Sequence, residues 1–145
     1  MSLAKVCIDA ITKLKAIPEF ENRVAFSMGG QEFDPNLYKA PHPCAWVLYM
    51  GGENQEDENV CDPVSEKNFT ILVLHDYVSD DKLFTDVMPL LSNVKKALHG
   101  DYPIDADTSS ELIGAGKWNW RNESFVEVTS DRIVYASGYT INSTS

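Results

Sequence analysis

His75 followed by Asp76 is the pairing best equipped for chemistry, an imidazole beside a carboxylate at the end of the apolar run Phe69–Leu74. Such a pair acts as a general base when a hydroxyl or thiol nucleophile comes within hydrogen-bond reach. No G-x-S-x-G elbow, phosphate-binding glycine loop or H-E-x-x-H helix accompanies it. A His-Asp dipeptide at a strand end is more often a solvated edge than half of a triad. His42-x-Cys44 with Cys61 and His75 supplies metal-ligating types, but the spacing matches no zinc pattern. Two acidic runs, Glu56, Asp57, Glu58 with Asp62, and Asp105, Asp107 with Glu111, offer weak cation chelation at most. Neither has the glycine and closing bidentate glutamate of a calcium loop. The expectation is a chain with no catalytic residue, no cofactor and no metal.

These residues sit on elements that the apolar periodicity sets out. Leu3, Val6, Cys7, Ala10, Ile11 and Leu14 recur at three and four residues and predict an amphipathic helix, ended by Pro18. Arg23–Phe26 reads as a short strand closed by Gly29-Gly30, and the prolines at 35, 41 and 43 make 31–43 irregular. Ala45–Met50 predicts a buried strand ended by Gly51-Gly52, and Phe69–Val78 predicts a long one. Between them lies the acidic stretch Glu53–Glu58, expected as the exposed tip of a hairpin.

Ser79-Asp80-Asp81 is an N-cap followed by two carboxylates at a helix's positive end. Leu83, Val87, Leu91, Val94 and Leu98 then keep one face, joined by Phe84, Met88 and Ala97. Lys95, Lys96 and His99 suit the last turn and Gly100 the C′ position. Pro89 lacks the backbone donor a helix interior needs, so a kink or restart is expected with Met88 at its boundary. Asp101–Ser110 reads as a polar loop, and Glu111–Asn119 and Ser124–Thr129 as strands about a turn at Arg121-Asn122-Glu123. A last strand spans Arg132–Ile141, with a bulge at Gly138 and a frayed tail over 142–145. Trp118 and Trp120 share a face at strand spacing, which suits core or subunit contact better than a ligand platform; Trp46 belongs to a buried strand.

The fold class expected is α+β: a mainly antiparallel sheet packed by an N-terminal helix and a central kinked helix. At 145 residues, with no repeat or linker, the chain is expected to form one domain over 1–145. Its longest apolar run is about six residues against the roughly 20 that span a bilayer, so no membrane partner is expected. The N-terminus lacks the apolar segment of a secretory signal, which implies a cytoplasmic product. Three irregularly spaced cysteines agree with a reducing compartment. The net charge of −10 repels phosphate backbones and disfavours general nucleic-acid binding.

The order of these elements resembles the tail terminator (tail completion) proteins of long-tailed bacteriophages and prophages. The resemblance rests on a short N-terminal helix, a buried strand pair and a helix closing on Ala97-Leu98-His99-Gly100. A polar, proline-containing loop follows, then Leu112, Gly116 and Trp120 in an L-x-x-x-G-x-x-x-W pattern and an aromatic C-terminal strand. Pro89 and the long segment after Trp120 depart from the pattern. The resemblance implies a structural role: a head-to-tail ring, usually a hexamer, capping the head-proximal end of the tail tube and presenting a docking surface for the head or connector. It implies the tail tube protein, the head or connector protein and the chain itself as partners, with DNA passing through the ring. It also implies a virion (tail) location, reached from the host cytoplasm during assembly.

Candidate contacts with a neighbouring subunit or the tube are Lys13 and Lys15 on the first helix and Glu53, Glu56, Asp57 and Glu58 in the acidic tip. For the acidic tip a plain solvated turn explains the residues equally well. Another neck, head–tail joining or tube-associated protein shares this architecture. An acidic immunity-like module binding a basic partner one-to-one also suits the charge.

Overall fold

The computed structural model describes residues 2–28, 43–54, 64–76, 79–129 and 131–144, with only the backbone described at 28, 53, 54, 64 and 144. The fold is α+β, with a five-stranded, mainly antiparallel sheet and its helices. Helix α1 (Leu3–Lys15) begins at Ser2, whose hydroxyl accepts the Lys5 N–H at 3.3 Å, and its apolar stripe buries Val6, Cys7, Ala10 and Leu14. Pro18 opens a 3-10 turn (Pro18–Phe20) whose Phe20 is fully buried. β1 (Val24–Met28) pairs parallel with β2 (Cys44–Asn54), which pairs antiparallel with β3 (Val64–Asp76). The sheet order is completed by β7 (Arg132–Thr144) against β3 and β6 (Asn119–Val128) at the far edge, giving β1-β2-β3-β7-β6.

The central helical segment restarts where the proline requires it. Ser79 caps α2 (Asp80–Lys82) by accepting the Lys82 N–H, a π turn follows (Leu83–Val87), and α3 runs Met88–Leu98 with Pro89 in its first turn. A π turn holds one extra residue and shifts the helical phase. Burial accordingly falls on Val87, Leu90, Val94 and Leu98, while Phe84 and Met88 are exposed rather than part of the core face expected for them. Gly100 turns the chain after α3 at φ +85°, a conformation that a Cβ disfavours.

Alternation along the central strands sorts side chains between two faces. Ala45, Val47, Phe69, Ile71, Val73, Tyr139 and Ile141 meet α1 and α3 in the main core. Tyr49, Phe69, Trp118 and Tyr139 form an aromatic chain there, with successive ring centroids 5.3, 5.0 and 6.4 Å apart. Cys44, Leu72, Leu74 and Val134 form a smaller cluster on the opposite face with Trp46, Leu48 and Ala136.

Several boundaries differ from the sequence expectation. β2 does not stop at Gly51-Gly52: a register shift between Tyr49 and Gly51, with Gly51 at φ +103°, lets pairing continue to Asn54. Glu111–Asn119 is not a strand, for only Ser110–Glu111 (β5) pairs, with Ile104–Asp105 (β4), before a turn through Gly114. Arg121-Asn122-Glu123 is not a turn but the middle of β6. The bulge expected at Gly138 lies instead on the opposing strand, between Trp120 and Asn122, where a Cβ on Gly138 would strike the Asn122 side chain. Residues 142–144 are not frayed, since they pair with Val64, Ser65 and Glu66 in β3. The polar composition of that segment hid its place in the sheet.

Candidate assembly surfaces

At the end of β3 the ring Nδ1 of His75 lies 2.7 Å from the backbone carbonyl of Asp76, so the contact is with the main chain rather than the carboxylate. The adjacent hollow of 310 Å³ is lined by Glu19, Pro43, Thr85, Asp86, Pro89 and Leu90; the hydroxyl among them, on Thr85, donates to the Asp81 carbonyl at 3.0 Å. Among the described residues no group of three His, Cys, Asp or Glu side chains is placed to hold a metal. Cys7 and Cys44 are free and buried, and burial pushes each thiol up to about 11, away from the thiolate that reacts. His42, Cys61 and Asp62 lie outside the described residues.

The N-terminal lysines have unequal roles. Lys13 Nζ sits 3.0 Å from the buried carboxylate of Asp9 and donates to the Tyr102 carbonyl at 2.9 Å. Asp9 also accepts the Ile104 N–H at 3.0 Å and the Trp118 indole N–H at 2.9 Å. Lys5 bridges Asp105 (2.8 Å) and Asp107 (3.3 Å), so two of the three carboxylates considered for cation binding are engaged by an ammonium. Lys13 therefore fastens the 101–118 segment to α1, whereas Lys15 is exposed at the helix end that leads toward β1. In the acidic stretch, Glu53 is a strand residue opposite Glu66 in β3; Glu56, Asp57 and Glu58 lie outside the described residues.

At the end of α3 the Nδ1 of His99 receives the Trp120 N–H at 3.0 Å. This fixes the exit of α3 against the start of β6. Lys95 stands over the Trp120 ring, 3.9 Å from its centroid, while Trp118 is wholly buried. The two tryptophans expected on one face are thus one core residue and one partly covered residue.

Apolar side chains are exposed where sequence reasoning placed core. A cleft of 460 Å³ between α3 and the β6–β7 pair is lined by Met88, Leu91, Lys95, Glu123, Phe125 and Tyr135, among others. Met88 is 41% and Phe125 47% exposed there, Phe84 one turn before Met88 is 63%, and Val128 further along β6 is 58%. Phe125 packs edge-on to Tyr135 at 5.1 Å, which fixes its ring beside the opening. The π turn created by Pro89 was the sequence signal that could have located this surface, because it rotates Phe84 and Met88 off the buried stripe. Among the described residues, β6 is the outermost strand of the sheet at this cleft and β1 the outermost at the other end.

The sequence matches no protein-family model and no curated protein. Among solved structures, the fold is similar to a chain in the virion of a native gene transfer agent (GTA) particle. The TM-score is 0.56 at 11% identity, and the alignment covers 91% of this chain and 84% of that one. At that identity the likeness is one of fold.

Proposed function

We propose that this chain is a structural virion protein and, more finely, a tail terminator: one domain that assembles head-to-tail into a ring on the head-proximal end of a tail tube. The observation that carries this reading is the fold shared, over most of both chains, with a virion chain of a gene transfer agent particle. The order of elements that resembles tail terminators supports it independently. An exposed apolar cleft beside β6, the outermost described strand at that end of the sheet, suits a heterologous contact, which closes into a ring when its rotation permits. The tube's growing face, the head or connector and the neighbouring subunits are then its partners. Its work is geometric, covering one surface while offering another.

Native mass spectrometry across a concentration series, followed by binding to isolated tail tubes, tests the reading. A discrete closed oligomer, or a monomer that assembles on tube ends, supports it. A strict monomer that ignores tubes, or a tight one-to-one complex with a basic partner, overturns it. Loss of the gene separates termination from joining: overlong tails mark a terminator, and normal-length unattached tails mark a head–tail joining protein.

A further inference from the structure

We propose that the turn carrying Ile113 seats in the cleft between α3 and the β6–β7 pair of a second copy of this chain, which rests on the ring reading above and gives the ring its contact. Leu112–Ala115 is a type II turn: the Ala115 N–H donates to the Leu112 carbonyl at 3.3 Å, with Gly114 at φ +85° in the third position. Both flanks are fixed, since the Leu112 N–H meets the Pro103 carbonyl at 2.8 Å and the Gly116 N–H that of Asn142 at 2.7 Å. Ile113 stands in the second position at 91% exposure, the highest of any large apolar side chain among the described residues. Apolar residues exposed singly are ordinary. This one is held away from the fold on a turn tied at both flanks, so docking it costs little further order.

The cleft is the complement of such a knob. One hollow of 460 Å³ brings Met88, Leu91, Phe125 and Tyr135 together, with Lys95 and Glu123 among its walls. The Glu123 carboxylate faces the Tyr135 hydroxyl. Lys95 stands over the Trp120 ring and, among the described residues, forms no ion pair. Glu111, two residues before Ile113, is exposed and likewise forms no ion pair among the described residues. An unpaired ammonium in the cleft and an unpaired carboxylate beside the knob are opposite in sign, and their pairing sets the orientation of the docked turn. Position selects a second copy as the occupant. Ala115 bridges Ser143 at one end of β7, whereas Tyr135 lines the cleft eight residues earlier, roughly 26 Å away along the strand. Knob and cleft therefore do not meet within one subunit, and a contact between two different surfaces of the same chain runs head to tail.

Zero-length carbodiimide coupling of ammonium to carboxylate tests this on the unaltered chain, free and on isolated tail tubes. Isotope-labelled and unlabelled protein are mixed before assembly, so that a peptide joining two copies is recognised by its mixed mass. A Lys95–Glu111 link is expected among the mixed peptides. Ile113→Ser is expected to lose both that link and the oligomer with an unchanged thermal midpoint, because the side chain is solvated in the single copy. An Ile113→Ser protein that still oligomerises and still yields the link overturns the inference. A link from Lys95 to the tube protein overturns it as well, by placing that protein in the cleft. A discrete oligomer whose links all lie elsewhere overturns the inference but leaves the ring reading standing. A protein that forms no oligomer, free or on tail tubes, overturns both.

Discussion

The Asp9 carboxylate accepts the indole N–H of Trp118 at 2.9 Å across 109 residues of sequence. The same carboxylate takes the Ile104 N–H and faces Lys13, so one buried side chain of α1 fastens both ends of the 101–118 segment. Asp9→Ala leaves the buried Trp118 indole N–H and the part-buried Ile104 N–H without their acceptor, and the Lys13 ammonium with only the Tyr102 carbonyl. We expect it to lower stability by about 3 kcal/mol, read as a shift in the urea midpoint. Asp9→Asn, which keeps an acceptor oxygen but not the charge, should cost less; equal losses would show that charge rather than hydrogen bonding dominates.

Lys13 and Lys15 separate a folding role from an assembly role. Lys13→Glu sets a second carboxylate against buried Asp9 and should lower the thermal midpoint. Lys15→Glu should leave the midpoint within the range of ordinary surface changes, about 0.5 kcal/mol, and weaken ring formation. Unchanged assembly in the Lys15 variant would remove that residue from the interface.

The Lys5–Asp105 pair gives the stability profile a shape with pH. The Lys5 ammonium holds Asp105 below its ordinary 3.8, so its contribution is present above that value and is lost as pH falls through the lower folded value. Asp105 holds Lys5 above 10.5 in turn, so this contribution is present below 10.5 and lost as pH rises through the raised value. Lys5→Met should flatten both limbs relative to the unaltered protein in urea midpoints measured from pH 2 to 12. Parallel curves would show the pair to be energetically idle.

Gly100 sits at φ +85° with open space where a Cβ would go. Gly100→Ala should therefore cost about 1 kcal/mol from backbone conformation alone, and Gly100→Asn less. Calorimetric midpoints for the two variants in that order support the assignment; a neutral alanine variant contradicts it.

Deleting residues 142–145 distinguishes a strand from a tail. Asn142 accepts the Gly116 N–H at 2.7 Å and Ser143 bridges to Ala115 while its hydroxyl meets that of Ser65 at 2.9 Å. The truncation should lower the thermal midpoint and loosen the 112–118 segment, seen as faster amide exchange there. An unaltered protein would mean that these pairings add nothing.

The elements whose periods are strong were legible in the sequence: α1 by its apolar stripe, the β2–β3 pair by β-branched and aromatic content, the cap at Ser79 and the break at Pro89. Local chemistry decides these, because a capping hydroxyl, a missing proline donor and an amphipathic period act within a few residues. What the tertiary structure alone decided depends on partners far apart in the chain. Asp9 lies outside the apolar stripe of α1 and is buried because Trp118 and Ile104 come to it, and Asn142–Thr144 looked like a tail until β3 supplied the pairing. Pro89 marks the helix break that turns Phe84 and Met88 off the buried stripe, but that Phe125 of β6 and Tyr135 of β7 lie beside Met88 is decided only by where the sheet packs. Hydrogen-bond and packing energies across a hundred residues are realised only when the sheet has formed, and sequence spacing carries no record of them.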